Sequence, residues 1–240
     1  YIKLKIAKLS SSQTSEGWFN EYGGPDIGYT SLGMDYLAKY WDKSKDKEAY
    51  KIIEKMIDFL SYFLHPDGTI GGEYGSRNTE YIFPHALELL AKKNKAALRG
   101  RNDFLSALKN KKNIFLEGCL DDRYFIYMCY DYLQAHDSFS YAKLTDPTNK
   151  TNTINTTTKE PTTYFPKAGL FILNNNNYFL ISNLKKGGIF LVNSNKFNYV
   201  DSGYFGIQQD GKTITSQQID KNTRVNLKEN TLTTSCNFFT

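Results

Sequence analysis

The sequence predicts an α+β multidomain protein in which helical hairpins precede an antiparallel β module. Three observations predict this class: apolar residues recur with the helical period before residue 142, a Thr/Asn-rich stretch follows, and short apolar runs separated by turn residues come after it. We therefore divide the 240 residues into a helical domain at 1–145, a linker at 146–161 and a β domain at 162–240.

Five helices are predicted in the first domain. Their periodic stretches cover Tyr29–Tyr40, Ile52–Phe63, Glu80–Lys93, Asn102–Lys109 and Asp121–Ala135. In the first of them the predicted buried stripe consists of Tyr29, Leu32, Gly33, Tyr36, Leu37 and Tyr40. In the last, the apolar positions are Phe125, Met128, Tyr132 and Leu133.

A related pattern precedes three of these helices. It reads EYGGPDIGY at 21–29, EYGSRNTEY at 73–81 and EGCLDDRY at 117–124. Asp and Asn cap helix N-termini, so Asp26, Asn78 and Asp121 are predicted as three equivalent N-caps. Stacked hairpins would gather these helix starts around one hollow, and their free N–H groups would favour an anionic ligand there.

Short strands are predicted in the second domain. They cover Tyr164–Leu173, Tyr178–Leu184, Ile189–Asn193, Tyr199–Gln208 and Thr213–Gln217, with an Asp210-Gly211 hairpin before the last of them. Short strands with closely spaced turns favour an antiparallel sandwich. The residues from Cys236 to Thr240 also read as a strand that breaks off, and the chain starts at Tyr1, so we expect a piece or processed form of a longer protein.

Composition limits the function classes. The formal charge of +5 suits an acidic partner such as a uronate-bearing glycan or a nucleic acid, although the lysines are spread along the chain as in a compositional bias. No apolar run is long enough to cross a bilayer, so no membrane insertion is expected. Cys119, Cys129 and Cys236 fit no disulfide framework and no metal spacing. No cofactor motif and no metal-ligand cluster is apparent, and a Ca²⁺ ion in the β module is left open.

Four segments carry a resemblance to a known family. They read GWFNEYGGPD at 17–26, GGEYGSRNTEYIFPHALELL at 71–90, YFPKAGLFIL at 164–173 and DSGYFG at 201–206. Together with the order of helices and strands, they resemble the heparinase II/III-like polysaccharide lyases and their uncharacterised relatives. The resemblance implies an incomplete (α/α) toroid followed by a β-sandwich. It also implies a secreted, periplasmic or cell-surface location, although no signal peptide is recognisable in the sequence.

The resemblance implies cleavage of an acidic polysaccharide or oligosaccharide by β-elimination, with no nucleic acid partner. A base removes the proton next to a uronate carboxylate, an acid protonates the leaving oxygen, and nearby donors neutralise the carboxylate. By resemblance, Tyr81 is the base or acid, His85 is its partner, and Asn78 with Arg77 grips the carboxylate. The four-residue spacing of Tyr81 and His85 predicts that they share one helix face.

The expected substrate-binding residues lie around the predicted helix starts. They are Arg77, Asp26, Tyr29, Trp18, Tyr22, Tyr74, Asp121 and Tyr124. Sugar rings stack on aromatic faces, but each of these aromatic residues could equally pack its loop onto the helices, and each Asp or Asn could be only a cap.

Two other functions remain open at this point. One is a non-catalytic glycan-binding or assembly protein on the same scaffold. The other is a toroid glycosidase or uronate epimerase, in which a carboxylate pair such as Asp26 and Asp121 does the chemistry.

Overall fold

The computed structural model describes residues 1–110, 122–139, 162–175, 177–228 and 231–239. These residues confirm the α+β class, because six helices precede an antiparallel sheet of five strands. The helices are α1 (Ile2–Ser12), α2 (Ile27–Ser44), α3 (Lys47–Leu60), α4 (His85–Leu90), α5 (Lys95–Lys109) and α6 (Asp122–Asp137). The strands are β1 (Thr162–Phe165), β2 (Leu170–Asn174), β3 (Tyr178–Asn183), β4 (Ile189–Ser194), β5 (Asn198–Ser202), β6 (Phe205–Ile207), β7 (Thr213–Thr215), β8 (Arg224–Lys228) and β9 (Thr231–Ser235).

The chain forms two compact units. The helical unit contains Tyr1–Asn20, Asp26–Gly71 and the described residues from Thr79 to Phe139. The β unit contains Glu21–Pro25, Gly72–Asn78 and the described residues from Thr162 onward. Two loops of the predicted helical domain thus belong to the β unit, and the predicted linker at 146–161 lies outside the described residues.

The apolar stripe predicted for α2 is not its buried face. Tyr36 is 59% exposed, and most of the other predicted positions are only half-buried. The buried positions of α2 are Ile27, Gly28, Thr30, Ser31, Met34, Asp35, Leu37, Ala38 and Trp41. The prediction failed because it treated polar residues as solvent-facing, whereas Thr30, Ser31 and Asp35 have buried hydrogen-bond partners.

Two of these partners, Phe83 and His85, come from the end of a segment without regular secondary structure and from the first residue of α4. Thr79 Oγ1 donates to Asp26 Oδ2 at 2.9 Å, Phe83 N–H donates to Ser31 Oγ at 3.0 Å, and His85 Nδ1 lies 2.9 Å from Asp35 Oδ1. We call these three contacts the polar ladder. The helix predicted over Glu80–Lys93 begins only at His85. It cannot begin earlier because Pro84 disfavours the helical conformation of the residue before it.

The predicted N-caps have different outcomes. Asp26 caps α2 by accepting a hydrogen bond from Tyr29 N–H at 2.7 Å, as predicted. The prediction for Asn78 is wrong, because no helix starts there, and Pro84 stands at the N-cap of α4. Asp121 lies outside the described residues.

Other helix predictions are partly right. The predicted stripe Ile52–Phe63 is buried as expected, although α3 ends at Leu60. The structure adds α1 and extends α5 toward its Asn94 cap, neither of which the apolar period revealed. In α6, Met128 is buried, but Phe125 and Leu133 are 43% and 64% exposed.

The β unit contains a five-stranded antiparallel meander in the order β1-β2-β3-β4-β5. Alternate residues such as Leu170, Ile172, Phe179 and Ile181 point into its core. Two predicted strands are each split in the structure. The strand predicted over Tyr164–Leu173 is divided into β1 and β2 by a turn that ends at Gly169, and the φ of 76° at this position favours glycine. The other split falls between β5 and β6.

The remaining described strands form two hairpins. The predicted Asp210-Gly211 turn joins β6 and β7, while the pair β8 and β9 was not predicted. Residues 236–238 are not a strand, and Phe239 forms only an isolated bridge with Thr215. Within the described residues, no helix has the combined length and apolar character needed to cross a membrane.

The cap of α2 gives a first testable prediction. Asp26→Ala removes the N-cap acceptor and both contacts from Thr79 Oγ1, so we expect the free energy of unfolding to fall by about 2–4 kcal/mol. The matched control is Asp46→Ala, which removes the more exposed cap of α3 and should cost about 1 kcal/mol. Urea unfolding of both variants measures the difference, and equal losses would contradict a special role for Asp26.

Candidate functional site

Four polar side chains meet inside the helical unit. His85 Nδ1 lies 2.9 Å from Asp35 Oδ1, and His85 Nε2 lies 3.1 Å from Ser138 Oγ. The backbone N–H of His85 donates to Asp131 Oδ2 at 3.2 Å. We call Asp35, His85, Asp131 and Ser138 the His85 cluster.

Three elements position the cluster. Asp35 lies on the buried face of α2, His85 is the first residue of α4, and Asp131 lies on the buried side of α6. Ser138 follows the last residue of α6 and is half-buried, whereas His85 is only 5% exposed. The histidine is therefore fixed on both sides, and its hydroxyl partner lies closer to the surface.

The contacts of His85 define its tautomer. A carboxylate at Asp35 can only accept, so Nδ1 carries the proton and donates it. In the neutral ring Nε2 then accepts the Ser138 hydroxyl proton. This arrangement leaves Nε2 as a base that can take a proton from Ser138.

The two carboxyl groups of the cluster have opposite pKa shifts. Burial alone would raise the pKa of Asp35, but hydrogen bonds from His85 and Lys39 outweigh it and lower that pKa. Burial, with the adjacent Asp35 carboxylate, raises the pKa of Asp131 to about 8. Asp35 is thus the anion of the pair and Asp131 is its neutral partner at pH 7. A side-chain hydrogen bond between Asp131 and Asp35 adds to the shift, since two carboxyl groups can share one only if one of them carries a proton.

A cation and two exposed rings lie next to the cluster. Lys39 forms a short ion pair with Asp35 Oδ2, and its side chain is 26% exposed. The Lys39 ammonium lies 5.6 Å from the ring centroids of both Tyr36 and Tyr130, which are 59% and 61% exposed. Aromatic faces flanking a cation suit a ligand that combines a ring with an acidic group.

Asp35, His85 and Asp131 could also offer three ligand atoms to a metal ion, since these atoms lie within 4.8 Å of one another. We assign no metal to them, because their hydrogen bonds already account for the arrangement. Asp35 pairs with the Lys39 ammonium through one oxygen and accepts the proton of His85 Nδ1 through the other, and Asp131 accepts the backbone N–H of His85.

Four of the predicted site residues lie in the β unit. Asn78 is exposed and donates to Glu73 Oε1 at 2.6 Å, so it holds its own loop. Arg77 stacks over the ring of Tyr22 with its guanidinium carbon 4.8 Å from the centroid, and Tyr22 is 69% exposed. Tyr74 is only 1% exposed, so its ring offers no open face to a sugar.

The other predicted residues lie in the helical unit, where most are structural. Tyr81 does not share a helix face with His85, because it precedes α4. Its half-buried ring packs against Gly28, where an added Cβ would lie only 2.4 Å from the ring. Asp26 is fully buried, with its carboxylate engaged by Tyr29 N–H and Thr79, so it is unsuited to glycosidase chemistry. Trp18 is 5% exposed and offers no open face.

Two predicted residues remain without a structural test. Asp121 lies outside the described residues, so the predicted carboxylate pair with Asp26 lacks one member. Tyr124 lies in the first turn of α6 as predicted, and its side chain is not described.

Sequence reasoning found His85 but missed Asp35, Lys39, Asp131 and Ser138. A signal for two of them exists in the sequence. Asp35 lies one helical turn after Ser31, and Asp131 lies three residues after Met128, so both interrupt a face that is otherwise buried. A charged residue within a buried helix face requires a partner, which is a reason to search for one.

Comparison of the chain with protein-family models, curated proteins and solved structures gives no match.

The raised pKa of Asp131 gives a second prediction. Its folded-state pKa exceeds its ordinary value, so the stability it contributes is full below about pH 4 and is lost as pH rises through about 8. Asn resembles the protonated carboxyl, so Asp131→Asn should remove this dependence. Between about pH 5 and pH 9 we expect the wild-type free energy of unfolding to fall by roughly 1–3 kcal/mol relative to the variant.

Urea unfolding across this pH range measures the difference. The matched control is Asp137→Asn, which changes an exposed carboxyl on the same helix and should leave the wild-type slope intact. Parallel pH profiles for the wild type and Asp131→Asn would contradict the assignment of a neutral Asp131.

Proposed function

We propose that this protein binds an acidic glycan on its helical unit and cleaves it by β-elimination, in the manner of the heparinase II/III-like lyases. The observation that carries the proposal is the line of hydrogen bonds from Asp35 through His85 to Ser138, next to Lys39 and its two exposed tyrosines. On this proposal the helices form part of an (α/α) toroid, and the strands form part of a β-sandwich.

The surface of α2 and α6 supports the binding step. A sugar ring stacked on Tyr36 or Tyr130 would bring its carboxylate toward Lys39, whose charge lowers the free energy of the carbanion-like transition state. In the β unit, the positive charge of Arg77, stacked on the exposed ring of Tyr22, is a separate candidate contact for an acidic sugar.

The His85 cluster supports the proton-transfer step. The proton next to the uronate carboxylate would pass to the Ser138 hydroxyl, as that hydroxyl gives its own proton to His85 Nε2. Asp35 stabilises the imidazolium that results, because it stays ionised beside Nδ1. The protonated ring then returns a proton along the same path to the leaving oxygen. Tyr81 as base or acid stays a prediction from the resemblance.

The burial of the cluster favours a second candidate function. His85, Asp35 and Asp131 are 5%, 1% and 2% exposed. A buried network of this kind can have a purely structural role, which here is to hold α2, α4 and α6 together. In that case the protein is a non-catalytic glycan-binding or assembly protein, and the tyrosines and Lys39 are its binding surface.

Activity on uronic-acid polysaccharides separates these candidates. A lyase produces an unsaturated sugar end that absorbs ultraviolet light, and we expect His85→Gln to reduce that rate by roughly 100-fold or more. The control is His136→Gln, which alters an exposed histidine of α6 and should leave the rate unchanged. Tyr81→Phe tests the role taken from the resemblance. Binding without any unsaturated product would favour the second candidate.

Binding is tested separately from cleavage. Tyr36→Ala and Tyr130→Ala should each weaken binding of a uronate oligosaccharide by about tenfold, because each removes one aromatic face. Tyr127→Ala is the control, since this 56% exposed tyrosine of α6 is not one of the two rings beside Lys39. Titration calorimetry reports the affinities, and equal affinities for all four proteins would exclude this surface.

A further inference from the structure

We propose that Ser138 is a nucleophile toward carboxylic esters, activated by His85 and oriented through Asp35. The substrate class is an acyl ester on a sugar hydroxyl; the sugar part of this assignment rests on the proposed function, whereas the esterase chemistry does not. The proposal uses the His85 cluster for bond formation to Ser138 Oγ rather than for proton relay alone.

The geometry is that of a nucleophile, base and orienting acid in series. Ser138 Oγ lies 3.1 Å from His85 Nε2, and His85 Nδ1 lies 2.9 Å from Asp35 Oδ1, both within hydrogen-bond reach. Triads of this kind are recognised by geometry and roles rather than by their order along the chain. Here the order is Asp35, His85, Ser138.

The position of Ser138 suits attack on a substrate. It is half-buried at the end of α6, whereas its two partners are buried, so of the three residues Ser138 has the largest exposed fraction. The next residue, Phe139, is held by a cation–π contact in which its ring centroid lies 5.7 Å from the guanidinium carbon of the buried Arg101. This contact fixes the chain directly after the nucleophile.

The reaction balances without a co-reactant other than water. Ser138 Oγ forms a bond to the ester carbonyl carbon as its proton moves to His85 Nε2. The bond from that carbon to the sugar oxygen then breaks, and the sugar oxygen takes the proton from Nε2. Water attacks the acyl-serine, gives a proton to Nε2, and the proton returns to Ser138 Oγ as the carboxylic acid leaves.

The surroundings of Ser138 set the expected rate. The backbone N–H groups of Ser138 and Phe139 already donate to Gln134 O and His136 O, so in the described chain neither is open to an oxyanion. Turnover is therefore expected to be slow. Covalent labelling, which requires only the attack step, is the more sensitive measurement.

The experiment uses a fluorophosphonate probe on the whole chain, with the labelled residue located by peptide mass spectrometry. We expect labelling at Ser138 that disappears in Ser138→Ala and slows at least tenfold in Asp35→Asn. Ser106→Ala, which removes an exposed serine of α5, should label like the wild type. An unlabelled Ser138 in the wild type, or equal labelling rates in the wild type and in a folded Asp35→Asn, would overturn the proposal.

A cysteine at position 138 gives a second test that does not depend on whether the buried variant Asp35→Asn folds. In Ser138→Cys the neighbouring His85 should favour the thiolate, so iodoacetamide should alkylate it about tenfold faster than the thiol of Ser106→Cys at neutral pH. Equal alkylation rates would overturn the proposal even if Asp35→Asn does not fold.

The outcomes are separable from those of the lyase assay. Labelled Ser138 without unsaturated product supports the nucleophile and removes the elimination chemistry. If the wild type gives unsaturated product but is not labelled by the probe, the elimination chemistry is supported and the Ser138 nucleophile is excluded. Release of acetate from an acetylated uronate chain, lost in Ser138→Ala, would extend the result from the probe to the substrate class.

Discussion

The polar ladder between α2 and the segment that precedes α4 is the constraint on which the helical unit depends. Asp26, Ser31 and Asp35 hold Thr79, Phe83 and His85 by buried hydrogen bonds, so a segment without regular structure is fixed along a helix. A buried backbone N–H without a partner is costly, and Ser31 supplies the partner that a helix would otherwise have given to Phe83.

On the proposed function, the last contact of the ladder also positions the catalytic base. Asp35 serves both as the partner that places His85 and as the anion that fixes its tautomer. Asp131 lies on the other side, and because Lys39 and His85 favour the charge on Asp35, the proton of the pair stays on Asp131. The hydrogen bond that holds α4 to α2 is therefore also the one on which the proposed proton transfer depends.

The elements that were predicted correctly are those that depend on local sequence patterns. The helical period found α2, α3 and α6, and turn residues found most of the sheet, because both depend on local patterns. The inner face of α2 was misassigned, since Ser31 and Asp35 read as solvent-facing until their partners some 50 residues away are known. The likeness between Asn78 and Asp26 likewise suggested a second helix start, but Pro84 sets the start of α4 at His85.

The spacing of the ladder has a consequence for the route by which the chain folds. Its contacts join residues 50 to 53 positions apart, and the whole of α3 lies within the loop that they close. Closing such a loop is entropically costly, so we expect the hairpin of α2 and α3 to form first and the segment around Phe83 to dock onto it afterwards. Until docking, the imidazole of His85 is hydrated like that of any surface histidine. The nascent chain thus assembles the His85 cluster only after α2 and α3 have formed their hairpin.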